Sequence, residues 1–159
     1  MYRLIILLFF VISLQIFSQN SEAVKILASG VEAERTSNFT EALFYYSMAI
    51  DMDSKYTDAY EKRGNVYRRI KNYGKAKQDY TSALSLNPQS RSVSLSLAQM
   101  NYELAYYKEA ITGFTKVLEM TGDDADVYYA RGNAYNKNNE FDKAGADYTK
   151  AVYLRPDFT

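Results

Sequence analysis

The 159-residue sequence contains no cysteine and no histidine. Without cysteine there is no disulfide framework and no lipid attached to a leader cysteine, so the fold must be held together by burial alone. The two absences together remove the usual ligands of zinc and of most transition metals. They also exclude Ser-His-Asp and Cys-His nucleophilic catalysis and the common general base near neutral pH. Glycine is scarce, and its seven occurrences are isolated, so no phosphate-cradling loop can be assembled. Asp51-Met52-Asp53 lacks the remainder of a calcium loop. Charge of one sign is missing too: 19 basic residues balance 19 acidic ones. No catalytic residue, metal or cofactor is expected.

What the chain does contain is a recurrence with a constant offset of 34. Tyr60, Gly64, Tyr67, Ala76, Tyr80, Ala83 and Pro88 return at twice that offset as Tyr128, Gly132, Tyr135, Ala144, Tyr148, Ala151 and Pro156. The same offset run backwards meets Gly30, Ala42, Tyr46 and Ala49, and run forwards once it meets Ala98, Ala110 and Phe114. These two copies are degenerate. Ala33 and Ser54 replace Tyr and Pro in one; Asn101, Val117 and Gly122 replace Tyr, Ala and Pro in the other. Each residue type has a mechanical reason. A mid-helix Gly costs about 1 kcal/mol against Ala and is retained where a neighbour approaches too closely for a side chain. The paired Ala residues let a second helix nest on the first, and the Tyr columns supply most of the apolar burial. Phe39, Tyr73, Tyr107 and Phe141 fall at the predicted hairpin turns, where each can staple the start of the second helix.

This spacing and these residue types resemble the tetratricopeptide repeat family, whose unit is a helix, a tight turn and a second helix. The resemblance implies an all-α, right-handed alpha-alpha solenoid of four helical hairpins, with repeats at 23–56, 57–90, 91–124 and 125–158. It also implies a protein- or peptide-binding adaptor or scaffold, because in this family the first helices of successive hairpins line a concave groove. Carried over by position, the groove candidates are Asn65, Arg68, Arg69, Gln99, Tyr102, Tyr129, Asn133 and Lys137. Asn65, Gln99 and Asn133 form a column of side-chain amides, each able to donate and accept toward the main chain of an extended peptide. The carboxylate clamp that some members direct at chaperone C-termini is not matched. Its positions read Leu27, Val31, Lys62, Ser92 and Ser96 in one frame and Glu61, Asn65, Ser96, Asp126 and Ala130 in the other, with agreement only at Asn65.

Ahead of the repeats, Arg3 is followed by a charge-free apolar run from Leu4 to Ile12 that continues in diluted form to Phe17, then Ser18 and Gln19. That is the layout of a signal peptide over 1–18 with a short leader at 19–22, an uncleaved anchor being the alternative. The expected location is outside the cytoplasm, periplasmic or secreted and in keeping with a bacterial envelope, with membrane contact only through an uncleaved leader. Asn38-Phe39-Thr40 is expected to be a turn in which Thr40 caps the next helix, and the pairs Asp51/Asp53 and Asp123/Asp124 to be turn and cap residues at repeat junctions.

Charge is uneven along the chain. Repeat two carries seven basic and three acidic residues, with Lys62, Arg63, Arg68, Arg69, Lys71, Lys75 and Lys77 between Glu61 and Asp79. Either this is a solvated face paired with Glu32, Glu34, Glu103 or Glu109, or it docks an acidic peptide, an anionic glycan or a lipid. Nucleic acid is not an expected partner, given the overall charge balance and the acidic excess of repeats one and three. With only three residues after Pro156 and no capping helix in view, Tyr148, Val152 and Tyr153 are expected to leave an apolar C-terminal edge. Self-association through that edge, giving a homo-oligomer, is the alternative function.

Overall fold

The computed structural model describes residues 21–156. The expected signal peptide, and the last two residues of the fourth repeat, lie outside them. Among the described residues α-helix is the only regular secondary structure: α1 (21–35), α2 (Phe39–Met52), α3 (Thr57–Arg69), α4 (Tyr73–Leu86), α5 (Arg91–Glu103), α6 (Tyr107–Thr121), α7 (Ala125–Lys137) and α8 (Phe141–Leu154). Each repeat segment holds two of them. No helix among the described residues is long and apolar enough to cross a membrane. The chain forms two compact units, one ending at Val66 and one beginning at Tyr67, with the division inside α3.

The turn within each segment is the same backbone device four times over. Ser37, Lys71, Ala105 and Asn139, each one repeat from the next, all adopt φ of 60–62°. The next residue's N–H then reaches back to the carbonyl five positions earlier, Asn38 to Ala33 at 2.8 Å, Asn72 to Tyr67 at 2.8 Å, Tyr106 to Asn101 at 2.8 Å and Glu140 to Tyr135 at 2.9 Å. Those bonds satisfy carbonyls that the helix end would otherwise leave open, which offsets the strain of a left-handed non-glycine residue. The helix that follows is capped by a side chain where one is suitable. Asn38 rather than Thr40 caps α2: its carbonyl oxygen accepts from the Glu41 N–H at 3.3 Å while its amide donates to the Glu41 carboxylate at 2.7 Å. Thr40 already lies inside the first turn, and a cap must stand just ahead of the helix for its side chain to meet the open N–H groups.

Junctions between segments differ. Asp53 and Asn87 end α2 and α4, each accepting from the N–H two positions on, at 2.9 and 3.3 Å. Pro88 reinforces the second by disfavouring helix at the residue before it. The third junction has Gly122 in place of proline, and α6 runs one residue further, to Thr121, before Gly122 stops it at φ 77°, ψ −154°, a conformation open only to glycine. Asp124 caps α7 through the N–H groups of Asp126 and Val127, and Asp123 binds Lys150 at 2.8 Å and the Tyr128 hydroxyl at 2.9 Å.

In the first unit Tyr46 is fully buried among Leu27, Ala33, Ala42, Ala49 and Ile50. Its ring lies on Gly30, where an added Cβ would sit 2.6 Å from it. The second unit has its core at Phe114, with Ala98, Ala110, Val117, Val127 and Ala134. At Gly132 an added Cβ would lie 2.7 and 2.9 Å from the Tyr148 ring. The glycine column therefore admits a tyrosine ring from the following helix. In the third segment the close approach has moved: Ala98 occupies the glycine column and Gly113 faces it, an added Cβ there coming within 2.8 Å of the Ala98 Cβ. The aromatic staple is incomplete. Phe39 packs on the first core and the Tyr107 ring lies tilted beside that of Tyr102 at 5.7 Å, but Phe141 is 63% exposed, in a turn where Glu140 bonds Asn138 and Lys143.

Gly132→Ala and Gly145→Ala form a contrasting pair. Both sit in helix interiors, where alanine gains up to about 1 kcal/mol. Gly145 has nothing within 4 Å of an added Cβ and is expected to show that gain. Gly132→Ala is expected to lose up to about 2 kcal/mol net, since overpacking costs roughly 1–3 kcal/mol and the propensity gain offsets about 1 of it. Urea unfolding followed by circular dichroism checks both signs.

Candidate functional site

Helix periodicity brings Gln99, Tyr102 and Glu103 onto one face of α5, and Ala130 and Asn133 onto one face of α7. With Phe114 of α6 they enclose a cavity of about 90 Å³. Phe114 is 1% exposed and forms an apolar floor. Three of the expected groove residues, Gln99, Tyr102 and Asn133, thus meet in one place.

Tyr129 is coupled to the same place through Tyr148. The Tyr148 ring lies 5.6 Å from that of Tyr129, and its hydroxyl donates to Asn133 Oδ1 at 2.8 Å. Burial, with Tyr129 and Tyr102 close by, pushes the Tyr148 phenol above its ordinary value, so it remains a donor through neutral pH. This corrects one expectation. Tyr148 is not an edge residue; it turns inward because Gly132 leaves room for its ring. The Tyr148 hydroxyl fixes the orientation of the Asn133 amide, which keeps its N–H donors and a second lone pair on its oxygen.

The remaining candidates are placed elsewhere. Asn65 is half-buried on α3 in the first unit, while Arg68, Arg69 and Lys137 are exposed and do not line the cavity. Val152 and Tyr153 are exposed, Tyr153 at 78%, with the Lys150 ammonium 5.7 Å above the Tyr153 ring. Cations of the second repeat rest on tyrosines: Lys75 lies 5.3 Å over Tyr67, Lys77 4.2 Å over Tyr106 and Arg63 5.8 Å over Tyr60. Glu32, one expected partner, is held by Arg35 on its own helix at 2.6 Å. A wider, open hollow of about 640 Å³ beside Lys77, Gln78 and Tyr106 shares no residue with the α5/α7 cavity. Among the described residues no three His, Cys, Asp or Glu side chains gather as a metal site.

Sequence reasoning missed the ion pair that holds α7 to α8. Arg131 donates from Nε and Nη2 to the two Asp147 carboxylate oxygens, both at 2.8 Å, and from Nη1 to Thr115 Oγ1 at 3.0 Å. The hydrogen bond to Asp147 raises the Arg131 pKa further. A signal was available: Arg63 and Asp79 stand two repeats earlier, as does Ser47, which accepts from Arg63 at 3.0 Å as Thr115 does from Arg131.

Comparison with known proteins decides the family. The tetratricopeptide repeat profile matches residues 57–90 and 125–158. The chain carries tetratricopeptide repeats at these two segments. Over 160 residues it is 26% identical to a DnaJ homolog subfamily C member 7 homolog of Dictyostelium discoideum, covering 91% of this chain and 29% of that protein. Over 124 residues it is 27% identical to the human mitochondrial import receptor subunit TOM70, covering 70% of this chain and 20% of that one. The chain therefore spans under a third of either relative's length. Among solved structures, a crystal structure of the MamA protein superposes with a TM-score of 0.82 at 22% identity, covering 86% of this chain and 74% of that one. That likeness establishes the fold: an all-α tetratricopeptide-repeat solenoid. Such a repeat fold supports an adaptor or scaffold for protein–protein interaction, and repeat proteins of this kind are generally non-catalytic.

Proposed function

We propose that this tetratricopeptide-repeat protein is an exported, non-enzymatic adaptor of the cell envelope that holds an extended segment of a partner protein on the α5/α7 face. The observation that carries this reading is the oriented amide of Asn133, locked by Tyr148 beside the Tyr102 ring and above the Phe114 floor. An extended segment has main-chain carbonyls to accept from such donors and side chains to enter the cavity. The apolar run at Leu4–Phe17 supports export.

A photoreactive phenylalanine analogue at position 129 of the full chain, expressed with its leader, tests the reading. It is expected to trap a partner polypeptide in the envelope fraction, whereas the same analogue at position 145, on open α8 surface, traps none. Equal trapping at both positions, or none at 129, overturns it. The second reading, self-association, is favoured by the exposure of Val152 and Tyr153. It predicts that a probe at 153 traps another copy of this chain.

A further inference from the structure

We infer that the α5/α7 cavity receives a lysine or arginine side chain of the bound segment, so that the partner is recognised by a basic residue. This rests on the proposed binding face and adds the chemistry of its occupant. The cavity's 90 Å³ is several times the roughly 10–15 Å³ needed to admit one water molecule. That is the scale of a short, unbranched chain of methylenes, and its floor of Phe114 and Ala130 is apolar. Lysine and arginine carry such a stem beneath a charged head, and they lay the stem on apolar surface while the head stays at the rim.

The rim supplies the counter-charge. Glu103 lines the cavity, is exposed, and has no hydrogen-bond or ion-pair partner among the described residues. Tyr102, one position before it, presents an aromatic face of the kind on which this protein's own cations already rest. The Arg131 guanidinium on the same helix as Asn133 is committed to both carboxylate oxygens of Asp147. Asn133 and Gln99 complete the site as donors to the main chain on either side. The Tyr148 hydroxyl orients the Asn133 amide by bonding its oxygen, and the Gln99 amide has no partner among the described residues. Lys137 is exposed on α7 one repeat beyond Glu103, so it disfavours a second basic residue immediately beyond the first.

The test uses the full chain and synthetic ten-residue peptides of glycine, serine and alanine with one central guest: lysine, arginine, norleucine or glutamate. Lysine and arginine peptides are expected to bind about tenfold more tightly than norleucine, which has the stem without the charge, and glutamate more weakly still. Glu103→Gln should bring lysine and norleucine to equal affinity without moving the melting temperature, since Glu103 holds nothing in the fold. Glu103→Lys should reverse the order of lysine and glutamate. Equal binding of lysine and norleucine to the unmodified chain, or a preference that survives Glu103→Gln, overturns the inference. If peptides bind without preference and crosslink at position 129, the basic-residue assignment fails while the binding face stands. If no peptide binds and position 129 traps nothing, both fail together.

Discussion

Replacing Asp147 with alanine is expected to lower the unfolding free energy by about 3–5 kcal/mol, the scale for removing one partner of a buried ion pair. The Arg131 and Asp147 side chains are only 16% and 8% exposed, and Arg131 cannot shed its charge when its partner is lost. Deletion strands a guanidinium between α7 and α8. Some compensation remains, since Thr115 still accepts one N–H and the rings of Tyr128 and Tyr135 lie 5.3 and 5.8 Å from the guanidinium carbon. The loss should therefore fall toward the lower end. Arg131→Met combined with Asp147→Leu removes both charges and is expected to recover most of it. Urea titration of the two variants beside the unmodified chain measures the pattern. A loss below about 1 kcal/mol for Asp147→Ala would mean that the pair is solvated and contributes little.

Phe114→Ala is expected to cost about 3–5 kcal/mol, as for other buried aromatic truncations. Phe114 is the largest residue of its cluster and is almost completely enclosed by Ala98, Ala110, Val117, Val127 and Ala134. The void cannot close readily, because α5 and α6 already touch at Ala98 and Gly113. The upper end of the range follows. Phe114 also floors the α5/α7 cavity, so a milder Phe114→Leu change should deepen that cavity while most stability is kept. Peptide affinity measured beside the unfolding transition separates loss of the floor from loss of the fold.

Much of the architecture was legible because it depends on side-chain size at a fixed spacing. Ala76, Ala83, Ala144 and Ala151 recur in a helical period, and all four are buried where α4 and α8 pack. Tyr46, Tyr80 and Phe114, in one column, are buried as well. The turns were harder to read. Ser37, Lys71, Ala105 and Asn139 share one backbone conformation and no side-chain chemistry, so no residue type marks the position. The main-chain bonds that hold it are invisible in a string of side chains. Asn38 also shows the limit of local rules, since Thr40 is a capping type too and only the start of α2 decides between them.

The candidate site divides in the same way. Gln99, Tyr102 and Asn133 could be named from the spacing of first helices, but the floor residue Phe114 comes from a second helix and reads simply as core. The inward turn of Tyr148 depended on Gly132, which lies on the facing helix and far from it along the chain.

By itself, then, the sequence determined a helical repeat protein without cysteine, histidine or the residues of common metal sites, its division into repeats and its small-and-large columns, because these are matters of composition and periodicity. Only the tertiary structure decided which polar atoms are already spent. The Tyr148 hydroxyl bonds the Asn133 oxygen, Asp147 holds Arg131, and Glu103 is left unpartnered among the described residues beside an apolar cavity. Hydrogen-bond partners are chosen by distance and angle between neighbouring helices, which a one-dimensional pattern does not specify.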